Sequence, residues 1–486
     1  MNYISISFYI LLLLIIPVYY LLPLRHRWCA LLAGSGVFYF FASGSLPACL
    51  CFLAMIMTGW AIGLLTGRLR SAGGRRWLIS VLSLCTLIPL ILFKLRGGAD
   101  GTEGIFSEYK WLAPIGLSYF SLQMYSYLFD VGKGRIEPQR NPFRFILYMS
   151  FFPQVIQGPI PKYEELSPQL YEGNRYRSEN IVSGMQLVVW GFFLKYMIAD
   201  RADVVVSQIF EGYMDMTGAV ILLGGVLYSI QLYADFLACV TISQGVAEFF
   251  GIKLRDNFAH PYFAPTVQDF WRRWHMSLSF WLRDYVYIPL GGNRKGKIRK
   301  YINLILTFLV SGFWHGGLAL NFIFWGLLHA FYQVAGGLTI GLRNRVLKAV
   351  HISPSSVPVR FIRAGITCFL VMTAWIIFRA GTLADGINMI LMMTGGITWT
   401  ELRELMPTIL RMGAFMDPAE WYMLFISSGV LLIVSLIQSR RSLRELINRM
   451  WLPFRWAVYI CAMLAVMIFG SYGHGFNAAD FIYGGF

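Results

Sequence analysis

Apolar runs recur almost from end to end of this chain, and they leave few ways for it to fold. Of its 486 residues 57% are hydrophobic and only 14% are charged. A hydrocarbon core about 30 Å thick is spanned by about 20 apolar residues in a helix. Runs of that kind begin at 3–23, continue at 28–48, 49–66 and 77–95, and recur to 456–470. Residues 3–23 have no basic segment before them and no small-residue cleavage site after them, so a retained transmembrane helix is expected rather than a cleaved signal. The reading is an all-α polytopic membrane protein of roughly 11–12 spans, one unit over 1–486 with its core motifs in 112–380.

The formal net charge is +16, and the positive residues gather in the connections between apolar runs. In a membrane protein that asymmetry reports topology and contact with anionic lipid. Nucleic-acid binding would need a soluble basic domain, which is absent, so membrane lipid is the expected contact and nucleic acid is not. The loop 67–76 is basic and 96–110 is acidic, which places the first in the cytoplasm, the second outside, and the N-terminus outside. By the same rule 294–300 and 440–455 are cytoplasmic. The seven cysteines lie in or beside apolar segments without zinc-site spacing, and neither a metal pattern nor a disulfide framework is expected.

Two segments are too polar or too broken to face lipid. Residues 112–130 carry Ser118, Gln123 and Asp130 among aromatics and should line something. Residues 143–160 are interrupted by Pro153, Gly158 and Pro159, and broken backbone at membrane depth survives only inside protein or beside a wet cavity. Asp235, within an apolar run, is either tunnel-lining or paired with an arginine to hold helices together.

The densest chemistry lies in 269–329, with His260 just before it and His275, His315 and His329 inside it. At about 100° per residue, Asp269, Arg272, His275, Ser279 and Arg283 share one side of a helix, and Trp271, Trp274, Leu278 and Trp281 share the other. That pattern also suits an interfacial helix with wet cations and buried tryptophans. Five cations follow between Arg294 and Lys300, then an apolar run ending in Trp314-His315-Gly316-Gly317. From Tyr301 to His315 is about 22 Å of helix, which leaves an ionisable group within the membrane. His315 is a functional candidate on that ground, and a histidine bonded to a neighbouring helix is the plainer alternative.

The runs WRRWHMSLSFWLRDYVYIPLGGNRKG and SGFWHG resemble the signature of the membrane-bound O-acyltransferase (MBOAT) family, and most closely its bacterial alginate O-acetyltransferase type. PIGLSYFSLQMYSYLFDV, FFPQVIQGPI, LYADF, WIIFRA and the terminal FIYGGF extend the likeness over most of the chain. The resemblance implies re-entrant and interfacial helices around a central tunnel. It also implies a thioester donor, acetyl-CoA or an acyl carrier protein, entering from the cytoplasm as a substrate, with no bound cofactor. The acceptor would be a hydroxyl on an extracytoplasmic polysaccharide or an intermediary partner protein, and the setting the inner or plasma membrane. The histidine matching His315 takes the role of general base. In the family a second acid usually follows the position of Asp235, whereas here LACVT stands.

Acyl transfer to a hydroxyl needs a base and donors for the oxyanion, and no GxSxG elbow or serine triad spacing is present. Direct transfer with His315 as base is therefore the expectation. His275 orients the donor, polarises its carbonyl, or anchors its helix. Asp235, Trp314, Trp274, Arg272, Ser279 and Gln123 are expected along the tunnel, with Arg294, Lys295 and Lys297 at its mouth attracting donor phosphates. His329 is expected to matter far less. D-alanyl transfer to teichoic acid is the alternative within the family, and a proton-coupled transporter or channel the alternative outside it.

Overall fold

The computed structural model describes residues 1–71, 76–95, 114–412 and 415–472. Among them every regular element is helical. Seven helices are long and apolar enough to cross a membrane, or eight if Trp77–Cys85 and Ile88–Lys94, bent by 43°, count as one span. That is below the 11–12 expected from sequence, because several apolar runs form shorter helices. Ile6–Leu21 has 16 residues and Leu383–Gly395 has 13. The expected outward loop 96–110 and the FIYGGF terminus lie outside the described residues.

The centre is the helix Gly218–Glu248, two-thirds of whose apolar window is buried. It packs on the continuous helix Ser178–Glu211 at Gly184 and Gly245, where a Cβ on either glycine would stand 2.6 Å from the other's carbonyl oxygen. Within that partner, a π-helical stretch, Phe193–Ala199, turns Lys195 inward. Its ammonium meets Asp200 at 2.9 Å and Asp235 at 2.8 Å, and all three side chains are at most 3% exposed. Asp235 thus pairs with a lysine where the sequence suggested an arginine.

The broken segment after Pro142–Ser150 is enclosed by protein, as its prolines require. The Phe152 N–H donates to Ser35 Oγ at 3.2 Å, Tyr3 Oη donates to the Phe152 carbonyl at 3.0 Å, and the Pro153 carbonyl accepts from Ser243 Oγ. Other protein atoms thereby replace the helical bonds that proline and glycine forfeit.

Two contacts tie the ends of helices remote in sequence. The bent pair ends at Lys94, whose Nζ donates to the His315 carbonyl at 3.0 Å. The His315 helix, Gly296–Gly316, ends at the same place, where Gly317 lies so close to the Lys94 carbonyl that a Cβ would collide with it. The bent pair and the His315 helix therefore meet at their C-terminal ends. The 443–448 segment meets the C-terminal end of Gly218–Glu248, where Arg444 donates to Glu248 at 3.3 Å.

Candidate functional site

The sequence reads one amphipathic helix through Asp269 to Arg283, and the structure breaks it. Val267–Trp271 ends after one turn, and a new helix, Met276–Leu282, starts beyond His275. His275 itself takes the left-handed conformation, φ 44° and ψ 53°. Holding a non-glycine residue there costs roughly 1–3 kcal/mol, so surrounding structure must fix it. Asn257 does so: its carbonyl accepts from the Met276 N–H and its Oδ1 from the Ser277 N–H, both at 2.9 Å. The break turns His275 from a wet stripe into the interior, where it is 1% exposed. Of the expected ionic stripe, Asp269 pairs with Arg273 at 2.8 Å.

His275 lies among Phe236 (ring centroids 4.7 Å apart), Trp314 (6.1 Å) and Tyr119 (6.3 Å). His315 flanks Trp314 on another side at 4.7 Å and touches Trp325 at 5.1 Å and Phe378 at 5.4 Å. Trp314 is pinned by an indole bond to the Ser118 carbonyl at 3.1 Å. The two candidate histidines thus share one tryptophan as their wall. The His315 helix reaches them because it packs tightly on Leu320–Ala349. Gly312 lies against the Phe322 backbone and Gly326 against the Phe308 carbonyl, and a Cβ at either position would collide.

A cavity of about 1280 Å³ leads toward this pair from the basic end. Arg272, Arg283, Arg294, Lys295, Lys300, Arg343 and Arg363 line it, and among the described residues no carboxylate does. A second π-helical stretch, Arg283–Tyr287, sorts the charges at its rim. Arg283 lines the cavity, Asp284 bonds Lys162 at 2.9 Å, and Tyr285 bonds Asp130 at 2.6 Å. On its inner side the cavity touches Trp271, Thr307, Phe308 and Ser311. Ser311 is four residues before His315 on the same helix, about 6 Å along the axis.

Of the residues expected along the tunnel, Arg272 and Ser279 line this cavity. Trp274 is instead 1% exposed in an aromatic core with Phe258, Phe270 and Trp375. Gln123 braces the broken segment, donating to the Tyr148 carbonyl at 2.8 Å and accepting from Gln154 at 3.1 Å. Asp235 lies in the ion triad, and Trp314 between the histidines; neither reaches the cavity. At the mouth, Arg294 and Lys295 line it and Lys297 is exposed beyond it.

Sequence reasoning passed over four neighbours of His315. Ser311, one turn earlier, was findable from helical spacing. Lys94 was not, being 221 positions away. Trp325 and His329, both 0% exposed, belong to the same aromatic cluster, with ring centroids 5.1 Å apart. His329, expected to stand apart, is one tryptophan away from His315.

Comparison with known proteins bears on the family of the chain. Residues 75–374 match the model of the membrane-bound O-acyltransferase family. The chain is 32% identical to the probable alginate O-acetylase AlgI of Pseudomonas fluorescens over 381 residues, 78% of this chain and 72% of that protein. It is 34% identical to a peptidoglycan O-acetyltransferase of Helicobacter pylori over 316 residues, 60% of this chain and 58% of the relative. A teichoic acid D-alanyltransferase of Bacillus subtilis is 27% identical over 289 residues, 57% of this chain and 72% of that one.

Proposed function

The chain belongs to the membrane-bound O-acyltransferase family, in its alginate O-acetylase-like branch, and we propose that it moves an acetyl group across the cell membrane. The donor is a cytoplasmic thioester, acetyl-coenzyme A or an acyl carrier protein. The acceptor is a hydroxyl of an extracytoplasmic polysaccharide or of a partner protein that passes the group on. The observation that carries this reading is the cavity that stops one helical turn short of His315, lined among the described residues by seven cations and no carboxylate. Cations at a low-dielectric mouth concentrate phosphate-bearing ligands, and the thioester arm reaches inward past Trp271 and Ser311 while the nucleotide stays at the basic mouth.

His315 accepts the acceptor's proton as the hydroxyl oxygen attacks the thioester carbon, and returns it to the departing thiolate. Burial suits the task, because a neutral imidazole is the form that accepts a proton. His275, across Trp314, orients the donor. The relatives named as alginate and peptidoglycan O-acetylases support acetyl as the group moved, and their acceptors support a cell-surface glycan.

The test is protein reconstituted in vesicles with radiolabelled acetyl-coenzyme A supplied on one side. Expected is release of free thiol only when the donor meets the basic face, with label recovered on a glycan or partner protein added to the other. Use of a D-alanyl carrier protein and not of acetyl donors would move the chain to the teichoic acid branch. Thiol release from both faces equally would overturn the sided reading.

A further inference from the structure

Trp271 lines the inner end of the cavity, and its indole Nε1–H donates to His329 Nδ1 at 3.2 Å. An indole N–H has no acceptor capacity, so Nδ1 must be the unprotonated nitrogen, and a neutral imidazole then carries its proton on Nε2. His329 Nε2 is thus an N–H donor, and it is buried with no hydrogen-bond partner. One turn earlier on the same helix, Trp325 Nε1 is a second buried donor in the same condition. Buried polar groups in native proteins are nearly always bonded, and each one left bare costs about 1–3 kcal/mol. Here two obligate donors on one helix lie bare a turn apart, as does the indole N–H of the neighbouring Trp375, and the Trp325 ring lies 5.1 Å from those of both His329 and His315. Phe308, Tyr332, Trp375 and Phe378 pack around them. Donors without acceptors among aromatic rings beside the proposed base fit a ligand oxygen that gains negative charge.

We propose that Trp325 Nε1–H and His329 Nε2–H form the oxyanion hole of this enzyme, binding the carbonyl oxygen of the acyl thioester. This rests on the acyl-transfer reading with His315 as base. As the hydroxyl oxygen bonds to the carbonyl carbon, its proton passes to His315 and the carbonyl π pair moves onto the oxygen between the two N–H groups. Collapse restores the carbonyl, breaks the carbon–sulfur bond, and the thiolate takes the proton from His315. Thioester and alcohol become ester and thiol, with atoms and charge balanced. The Trp271 indole, by fixing the tautomer of His329, is a positioning group for the hole.

The experiment separates this hole from the base. Trp325→Phe keeps the ring and removes the N–H, and His329→Leu removes the second donor, whereas His329→Gln retains an amide N–H. Loss of one oxyanion donor lowers kcat by about 10²–10³-fold, so Trp325→Phe and His329→Leu should fall by that factor, with the KM for acetyl-coenzyme A little changed and the pH profile of kcat intact. His329→Gln should recover most of the rate. A binding measurement needs no turnover. Wild type should bind the acetonyl ketone analogue of acetyl-coenzyme A more tightly than S-ethyl-coenzyme A, which has no carbonyl oxygen. That preference should shrink by at least about tenfold in Trp325→Phe. Both analogues bound with the same preference in wild type and in Trp325→Phe would overturn the hole and leave the acyl-transfer reading standing. Neither analogue bound by wild type would overturn the coenzyme A donor, and the hole with it. A variant that loses folded protein in proportion to rate, with Gln giving no rescue, would show that the two donors only support the aromatic core.

Discussion

Two polar clusters are buried in this membrane protein, and their chemistry is opposite. In the first, Lys195 reaches both Asp200 and Asp235, so full charges answer one another within 2.9 Å. In the second, around His275, His315 and His329, imidazoles and indoles are set in aromatic rings, and the ammonium of Lys94 meets the His315 backbone carbonyl. The triad joins the continuous helix Ser178–Glu211 to Gly218–Glu248, and no member of it lines the cavity. The histidine cluster stands at the inner end of a basic cavity and keeps bare donors at Trp325 and His329. Groups that satisfy one another hold a structure together. Groups left unpartnered beside the proposed base are set for a ligand, because nothing in the fold repays their burial.

The sharpest way to break this contrast is to remove one member from each cluster and measure rate and folding separately. His315→Ala should lower transfer per folded molecule by about 10²–10⁴-fold, the usual worth of general-base assistance, with the size-exclusion profile unchanged. Retention of more than about a tenth of the rate, below the low end of that range, would falsify its role as base. Lys195→Met should do the reverse. It strands two carboxylates, and breaking a buried ion pair typically costs about 3–5 kcal/mol. Thermal melting in detergent should fall steeply while the rate per surviving folded molecule stays within a few-fold. A large rate loss in a fully folded Lys195→Met protein would erase the distinction.

A smaller effect tests whether His275 belongs with His315. His275→Ala should cost about 10²-fold in rate, the scale on which a misplaced reactant slows an oriented reaction. A loss equal to that of His315→Ala would mean both imidazoles share proton transfer. A loss below about threefold, far short of that orientational scale, would reduce His275 to an anchor of its strained turn. The smallest effect is at the mouth. Neutralising Arg294, Lys295 and Lys297 together should raise the apparent KM for the donor at low salt, with the difference fading as salt screens the field. Stability should change by less than about 0.5 kcal/mol per site. An unchanged donor KM at low ionic strength would leave these cations as topology signals only.

Much of this was legible beforehand. Apolar run length gave membrane helices, and loop charge gave an expectation for which loops share a side. The prolines and glycines of 151–161 marked a segment that had to be enclosed, and it is. The family motifs picked out His315 and His275, because those residue types are scarce among apolar neighbours and their strings are specific. Periodicity misled at Trp274 and His275, where a helical pattern continues through a break that Asn257, 18 positions earlier, imposes by capping a new helix.

What the sequence by itself determined was therefore everything set by local run length, charge sign and short motif: helical class, an expectation for which loops share a side, and which histidines to suspect. Tertiary structure alone decided which buried polar groups answer one another. Asp235 meets Lys195 from 40 residues away, Lys94 reaches His315 from 221, and Trp271 fixes the tautomer of His329 from 58. Hydrogen bonds and ion pairs act over about 3 Å, a distance that only the packing of helices remote in sequence can set.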